Sequence, residues 1–98
     1  MMKVVAITAC PTGIAHTYMA AEKLESTGRR LGHDVKVETQ GAIGIENELS
    51  SRDIQAADVV LLAVDIAIEG EERFEDKRVV RVPIQNVLKD ANAVFALL

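Results

Sequence analysis

The residues best suited to chemistry in this chain form one short stretch, Cys10-Pro11-Thr12-Gly13-Ile14-Ala15-His16-Thr17. The stretch follows an apolar run that ends at Ala9 and precedes a helical pattern that begins near His16. A turn between a buried strand and a helix N-terminus gathers unpaired backbone N–H groups and the positive end of the helix dipole, which together hold anions. The same groups stabilise a thiolate over a thiol. Cys10 is therefore predicted to be a nucleophile that becomes phosphorylated.

The other residues of this loop have properties that suit a bound phosphoryl group. Gly13 lets the backbone approach an anion closely, and the hydroxyls of Thr12 and Thr17 can donate hydrogen bonds to it. Pro11 stiffens the exit from the cysteine and has no N–H to donate. His16 either favours the thiolate and hydrogen-bonds a phosphoryl oxygen or caps the first helix, and the sequence leaves both roles open. The predicted phosphate-binding loop comprises Pro11, Thr12, Gly13, Ile14, Ala15, His16 and Thr17.

The spacing of the loop is related to that of the cysteine phosphatases. Those enzymes use Cys-x5-Arg followed by Ser or Thr, and the arginine clamps the phosphate oxygens with two parallel hydrogen bonds. Here His16 and Thr17 stand at the last two positions, so the clamp is absent. Its loss costs transition-state stabilisation for attack by water more than it costs phosphate binding. The residues favour a phosphoryl relay over two alternatives, a small phosphatase with a degenerate loop and a noncatalytic binding module in which Cys10 only packs.

Composition limits the classes of protein to which the chain can belong. Its 98 residues, 49% of them hydrophobic, predict one domain over residues 1–98. A net charge of -4 and 3% aromatic residues argue against nucleic-acid binding, which needs basic and stacking side chains. One cysteine allows no internal disulfide and fits a reducing cytoplasm, and we predict no metal and no cofactor. No apolar stretch approaches ~20 residues and no signal-peptide pattern is visible, so we expect no membrane insertion.

Hydrophobic patterns predict the elements that position the loop. They indicate two internal strands, two edge strands, a long first helix ended by Gly32, a short second helix, a loop with a weak helical turn and a continuous last helix. In chain order these elements cover residues 3–9 (strand), 16–31 (helix), 34–39 (edge strand), 51–57 (helix), 57–64 (strand), 65–77 (loop), 79–82 (edge strand) and 83–98 (helix).

Several details of these elements are specific enough to test. Lys36 and Glu38 are expected to face water on the second strand, because they alternate with valines. Residues 40–44 contain two glycines and are expected to form a flexible loop. Pro83 is placed in the first turn of the last helix, and His33 on the solvated surface.

The order of elements predicts an α/β fold: a three-layer sandwich with a four-stranded parallel sheet, order 2-1-3-4, flavodoxin/Rossmann-like. The direction of winding reverses beside the first strand, and open α/β sheets bind ligands beyond the carboxyl ends of the strands at such a point. Cys10 follows the first strand directly. Topology and loop chemistry therefore select the same place.

The stretch from Ala9 to Glu22 closely resembles the fructose-type enzyme IIB of the bacterial phosphoenolpyruvate-dependent sugar phosphotransferase system (PTS). The resemblance continues through most of the chain, at Val37-Glu38-Thr39-Gln40-Gly41, Asp53-Ile54, Ala57-Asp58, Asp65 and Arg73-Phe74. The resemblance implies that Cys10 corresponds to the family's cysteine, which accepts a phosphoryl group from a phosphohistidine of enzyme IIA. It then delivers the group to a sugar, here fructose or a fructose-like sugar, bound by the membrane component IIC.

The resemblance also implies two protein partners, enzyme IIA and enzyme IIC, that must both reach Cys10. We expect them to use one docking surface around the loop in turn, and expect the protein to lie at the inner face of the membrane through IIC. The chain alone should show little turnover. Besides Thr12 and Ile14 of the loop, the predicted docking residues are Tyr18, Met19, Gln40, Gly41 and Arg73.

Overall fold

The computed structural model describes residues 1–98. It contains five strands, four α-helices and one short 3-10 helix. The strands are β1 (Lys3–Ala9), β2 (Asp34–Gly41), β3 (Gly44–Glu46), β4 (Val59–Val64) and β5 (Val79–Val82). The helices are α1 (Ala15–Arg30), α2 (Ser51–Ala56), α3 (Ile84–Lys89) and α4 (Ala91–Phe95), and the 3-10 helix spans Glu71–Phe74.

The five strands form one mixed sheet in the order β3-β2-β1-β4-β5. β1, β2, β4 and β5 are parallel, and their relative order is the predicted 2-1-3-4. The prediction of a four-stranded, wholly parallel sheet is wrong, because β3 adds an antiparallel strand beside β2. β1 lies at the centre, so the residue that follows it stands at the middle of the carboxyl edge.

The segment predicted as a flexible loop is a β-hairpin. β2 continues to Gly41 and β3 begins at Gly44, so only Ala42 and Ile43 form the turn. Thr39 pairs with Glu46 across the two strands. β2 is consequently an internal strand, not the predicted edge, and Val37, Glu38 and Thr39 in its middle are buried. Two glycines in five residues indicated a loop, but glycine is equally suited to the ends of a tight hairpin.

Helix α1 begins one residue before the predicted start and ends as its sequence indicates. The N–H of Gly32 donates to the carbonyl of Arg29, and that of His33 to the carbonyl of Gly28, at 3.1 and 2.8 Å. This is a Schellman motif, which needs a left-handed residue, and Gly32 has φ +84°. The buried face of α1 carries small residues and Leu24, which lets the helix lie close to the sheet.

Two hydrophobic layers cover the faces of the sheet. On one face α1, α3 and α4 pack against the side chains of Val4, Ala6, Val37, Val59, Leu61, Ala63 and Val82. On the other face, Ile54 of α2 and Phe74 of the 3-10 helix cover Ile7, Val60 and Leu62. The three-layer arrangement is as predicted. Helix α2 begins with a capping box between Ser50 and Asp53.

The end of the chain differs from the predicted continuous helix. Asp90 separates α3 from α4 and caps the latter, because its carboxylate accepts a hydrogen bond from the N–H of Ala93 at 3.1 Å. Pro83 is the N-terminal cap of α3 and lies just outside its first turn. His33 is half-buried instead of solvated: its Nδ1 accepts from the N–H of Met2, and its ring stacks on Phe95. No helix of the structure combines the length and apolar character that crossing a membrane requires.

Candidate active site: the cysteine loop

The Cys10 sulfur lies against hydrogen-bond donors at the start of α1. Its Sγ is 3.3 Å from the hydroxyl oxygen of Thr12 and 3.2 Å from that of Thr17. The N–H of Gly13 donates to the sulfur at 3.3 Å. Cys10 is only 4% exposed, so these donors act where water does not compete strongly. The structure therefore brings together Cys10, Thr12, Gly13 and Thr17 of the predicted loop.

This environment makes the Cys10 thiol more acidic than usual. Burial raises its pKa, but hydrogen bonds from Thr12, Thr17 and Gly13 favour the charged form and outweigh burial. The net effect lowers the pKa of Cys10 from 9.0 to about 7. Near neutral pH a large fraction of the sulfur is consequently thiolate, the nucleophilic form.

Four further donors of the loop have no partner within the chain. The N–H groups of Ile14, Ala15, His16 and Thr17 donate no hydrogen bond to backbone or side chain. They occupy the cap and first turn of α1, where the N–H groups point out of the helix and the positive end of its dipole lies. Beside the sulfur, this is a set of backbone donors that can hold the three oxygens of a phosphoryl group.

The side chain of His16 is exposed and does not cap α1. The cap residue is Ile14, and no side chain accepts a hydrogen bond from the first turn. The sequence left two roles open for His16, and the structure rules out helix capping. Pro11, Thr12, Ile14, Ala15 and His16 all lie on the exposed surface.

The β2–β3 hairpin packs against the cysteine loop through a contact between Gly41 and Gly13. The N–H of Ala42 donates to the carbonyl of Gly13 at 3.0 Å. A Cβ on Gly13 would meet the backbone of Gly41 and Ala42, and a Cβ on Gly41 would overlap the carbonyl oxygen of Gly13. Gly13 also has φ +64°, which disfavours other residues. The predicted docking residue Gly41 thus lies beside the loop.

The other predicted docking residues near the loop lie on α1 and on the β2–β3 hairpin. The hydroxyl of Tyr18 donates to the carboxylate of Glu46 at 2.8 Å, which joins α1 to β3. Met19, two residues past the loop on α1, is 51% exposed. Gln40 lies at the end of β2, immediately before Gly41. The exposed Ile14 and Ile43 flank the contact between the loop and the hairpin.

Arg73 is held in an ion pair that the sequence did not reveal. Its guanidinium donates to both carboxylate oxygens of Glu38, at 2.9 and 3.1 Å. Glu38 is completely buried, so the prediction that it faces water is wrong. Alternation with valines indicated a solvated side chain, and nothing local pointed to an arginine thirty-five residues later. Burial raises the pKa of Glu38, but hydrogen bonds from Arg73, Gln40 and Leu49 lower it more, so the group is ionised.

The cysteine loop is an open surface and does not lie within a cleft. Cys10 lines none of the four surface cavities. A cavity of about 390 Å³ lies on the other face of the sheet, between α2 and the 3-10 helix, and includes Ile54 and Lys77. A site that is shallow and rimmed by exposed isoleucines is suited to contact with another protein more than to enclosing a small molecule.

Comparison with known proteins places the chain among PTS components. A family model described as "PTS system, Lactose/Cellobiose specific IIB subunit" matches residues 5–97. The "PTS system fructose-like EIIB component 2" of Escherichia coli K12 is 55% identical over 96 residues, which cover 98% of this chain and 91% of that protein. The "PTS system fructose-specific EIIB component" of Haloferax volcanii is 47% identical, over 95% of this chain and 58% of that one.

Longer proteins and solved structures give the same family. The "Fructose-like PTS system EIIBC component" of Escherichia coli K12 is 50% identical over 97% of this chain, which corresponds to 20% of that protein. The crystal structure of a predicted fructose-specific IIB from Escherichia coli superimposes with a TM-score of 0.94 at 47% identity. That superposition covers 99% of this chain and 86% of that one.

Proposed function

The chain belongs to the IIB family of the PTS, and from that premise we propose that Cys10 carries a phosphoryl group between a phosphohistidine of enzyme IIA and a sugar bound by the membrane component IIC. The observation that carries the proposal is the acidity of the Cys10 thiol and the set of donors around its sulfur. Cys10 has a pKa lowered to about 7 and lies among the Thr12, Thr17 and Gly13 donors. It is the nucleophile that a relay through cysteine needs.

The first transfer forms a sulfur–phosphorus bond and breaks the phosphorus–nitrogen bond of the donor. The Cys10 thiolate attacks in line, and the departing imidazole nitrogen keeps the electron pair of the broken bond. The new phosphoryl oxygens accept hydrogen bonds from the unpaired N–H groups of Ile14, Ala15, His16 and Thr17. Thr12 is an exposed residue whose hydroxyl lies 3.3 Å from the sulfur and can donate to the same oxygens.

The second transfer restores the thiolate. A sugar hydroxyl attacks phosphorus, the sulfur–phosphorus bond breaks, and the electron pair returns to the Cys10 sulfur. The hydroxyl proton passes to a base on the IIC side or to solvent. A thiolate with a pKa near 7 is a good leaving group as well as a nucleophile, so one sulfur serves both directions of transfer.

The open geometry supports alternating contact with two proteins. Ile14 in the loop is 60% exposed, Ile43 in the hairpin turn is 75% exposed, and Met19 on α1 is 51% exposed. We propose that IIA and IIC dock in turn on this surface, which includes Tyr18, Met19, Gln40, Gly41 and Arg73. Docking on IIC would hold the protein at the inner face of the membrane. The relatives that unite EIIB with EIIC in one polypeptide support this pairing.

Fructose or a fructose-like sugar is the proposed cargo. The relatives named above are described as fructose-like or fructose-specific, and 47% to 55% identity over nearly the whole chain supports the transfer of that specificity class. The choice of sugar would be made by IIC, since the cysteine loop has no pocket for a sugar.

Phosphorylation by a loaded IIA tests the proposal. The chain and its Cys10→Ser, His16→Ala and His33→Ala variants are incubated with phosphohistidine-loaded IIA, and the phosphate is located by mass spectrometry. We expect label on Cys10 in the wild type and in both histidine variants, and none in Cys10→Ser. Label that moves to His16, or no label from a competent IIA, would contradict the relay. Rapid release of inorganic phosphate would instead support the phosphatase alternative.

A further inference from the structure

Glu38 is the one charged residue buried in this protein, and all its acceptor positions are used. Oε1 accepts from Nη1 of Arg73 and from the N–H of Leu49, both at 2.9 Å. Oε2 accepts from Nη2 of Arg73 at 3.1 Å and from Nε2 of Gln40 at 2.8 Å. A buried ion pair of this kind contributes little net stability compared with apolar residues, but it allows only one arrangement of its partners.

Arg73 and Gln40 also bind the same piece of backbone beyond β4. Arg73 donates from Nε to the carbonyl of Gly70 at 2.6 Å and from Nη2 to that of Glu69 at 3.2 Å. The Gln40 amide donates to the carbonyl of Glu69 at 2.9 Å and accepts from its N–H at 2.8 Å. The end of β2 is therefore tied to the loop after β4 by two side chains that also bind Glu38.

One residue, Gly13, is hydrogen-bonded both to this hairpin and to the Cys10 sulfur. Gln40 is followed by Gly41 and Ala42, and the N–H of Ala42 donates to the carbonyl of Gly13 at 3.0 Å. The N–H of Gly13 donates to Sγ of Cys10 at 3.3 Å. Gly13 is thus held on one side by the hairpin and itself donates to the sulfur on the other.

We propose that Glu38, Arg73 and Gln40 are positioning residues that hold the β2–β3 hairpin against Gly13 and so keep the backbone donors of the cysteine loop aimed at the sulfur. None of the three bonds to Cys10. They act through Ala42 and Gly13, and losing them leaves the loop free to turn the Gly13 N–H away. Their relevance to phosphoryl transfer rests on the proposed function, whereas their effect on the thiol does not require it.

The ionisation of Cys10 reports this effect without any partner protein. The rate of alkylation by iodoacetamide is measured against pH for the wild type, Arg73→Lys and Gln40→Ala. Lysine keeps the charge but cannot make the two-pronged contact with Glu38. Gln40→Ala removes both hydrogen bonds to the backbone of Glu69 and the one to Glu38, while the Glu38–Arg73 pair remains. Both variants should move the midpoint of the profile upward from about 7, with alkylation at pH 7 roughly two- to fivefold slower.

A matched control lies on the same strand. Lys36 pairs with Asp53 at 2.7 Å, so Lys36→Gln also removes an ion pair from β2, but at a site that does not reach the hairpin turn. Its alkylation midpoint should equal that of the wild type. Thermal denaturation of every variant shows which of them are folded.

Three results would overturn the proposal. The first is an unchanged midpoint in folded Arg73→Lys and Gln40→Ala, even with reduced melting temperatures, because the network would then only stabilise the fold. The second is an equal shift in Lys36→Gln. If Arg73→Lys does not fold, Gln40→Ala decides alone, and an unchanged midpoint there is the third. Failure of IIA to label wild-type Cys10 would count against the proposed function and would leave these profiles as they are.

Discussion

Gly13 and Gly41 touch backbone to backbone, and neither position has room for a side chain. This contact joins the loop that carries the nucleophile to a hairpin on the neighbouring strand. It places the hairpin directly against Gly13, whose N–H donates to the Cys10 sulfur at 3.3 Å. Because of this contact, a glycine-to-alanine substitution, which adds one methyl group, can test whether the hairpin controls the environment of the Cys10 thiol.

Gly41→Ala should perturb the cysteine loop through steric overlap alone. The new Cβ would overlap the Gly13 carbonyl oxygen, and relieving that overlap must shift the hairpin or the loop. We expect a loss of about 1–3 kcal/mol in the free energy of unfolding and slower alkylation of Cys10 at pH 7, measured by urea denaturation and by thiol kinetics.

Gly32→Ala is the control for Gly41→Ala. Gly32 has φ +84° and nothing within 4 Å of an added Cβ, so alanine there strains the end of α1 without touching the loop. This variant should lose stability by about 1 kcal/mol and keep the wild-type alkylation rate. Equal slowing of alkylation in both variants would show that general loosening, not the contact, controls the thiol.

Thr17→Val should raise the pKa of Cys10. The Thr17 hydroxyl lies 3.2 Å from the sulfur and is one of the groups that lower that pKa to about 7. Valine keeps the shape and removes the hydroxyl, so the thiolate loses one donor. An increase of about 0.5–1 in the pKa is expected, measured from the ultraviolet absorbance of the thiolate against pH. Thr17→Ser, which retains the hydroxyl, should restore most of the acidity.

Stability should rise with pH because of Cys10. Its pKa is lowered from 9.0 in the unfolded chain to about 7 in the folded protein, so between these values the unfolded state binds more protons. The free energy of unfolding therefore increases as pH rises from 7 to 9, by about 2 kcal/mol from this group. The gain is lost as pH falls through 7.

Cys10→Ser isolates this contribution, since serine does not titrate in the range. The difference between wild type and variant in urea denaturation should grow between pH 6.5 and 9. A constant difference would mean that Cys10 ionises with the same pKa in both states, and the electrostatic account of the loop would be wrong.

Arg73→Ala should destabilise the fold strongly. It leaves the Glu38 carboxylate, which is completely buried, without its bidentate partner. Removing one member of a buried pair costs about 3–5 kcal/mol, measurable by urea denaturation. Replacing both members, in Glu38→Leu/Arg73→Leu, should recover most of that loss because no buried charge remains. If the double variant is as unstable as Arg73→Ala, apolar packing in place of the pair does not fit this site.

The sequence alone determined the features that depend on neighbours in the chain. The cysteine loop, the end of α1 at Gly32, the short helix that begins at Ser51, and the order of the four parallel strands follow from local patterns and short connections. The acidic cysteine was likewise readable, because a strand followed by a helix puts backbone donors around the residue at the turn, and Thr12 and Thr17 of the same loop add their hydroxyls.

Only the tertiary structure decided how distant segments support that loop. Strand pairing placed β3 beside β2, and the packing of the 3-10 helix brought Arg73 to the buried Glu38 from thirty-five residues away. Nothing near Glu38 in the chain distinguishes a buried, paired carboxylate from a solvated one, because register and burial are set by contacts between segments. The carboxyl ends of neighbouring parallel strands meet at one edge of the sheet. Residues that are far apart in the sequence, such as Gly13, Glu38 and Arg73, therefore lie close together there.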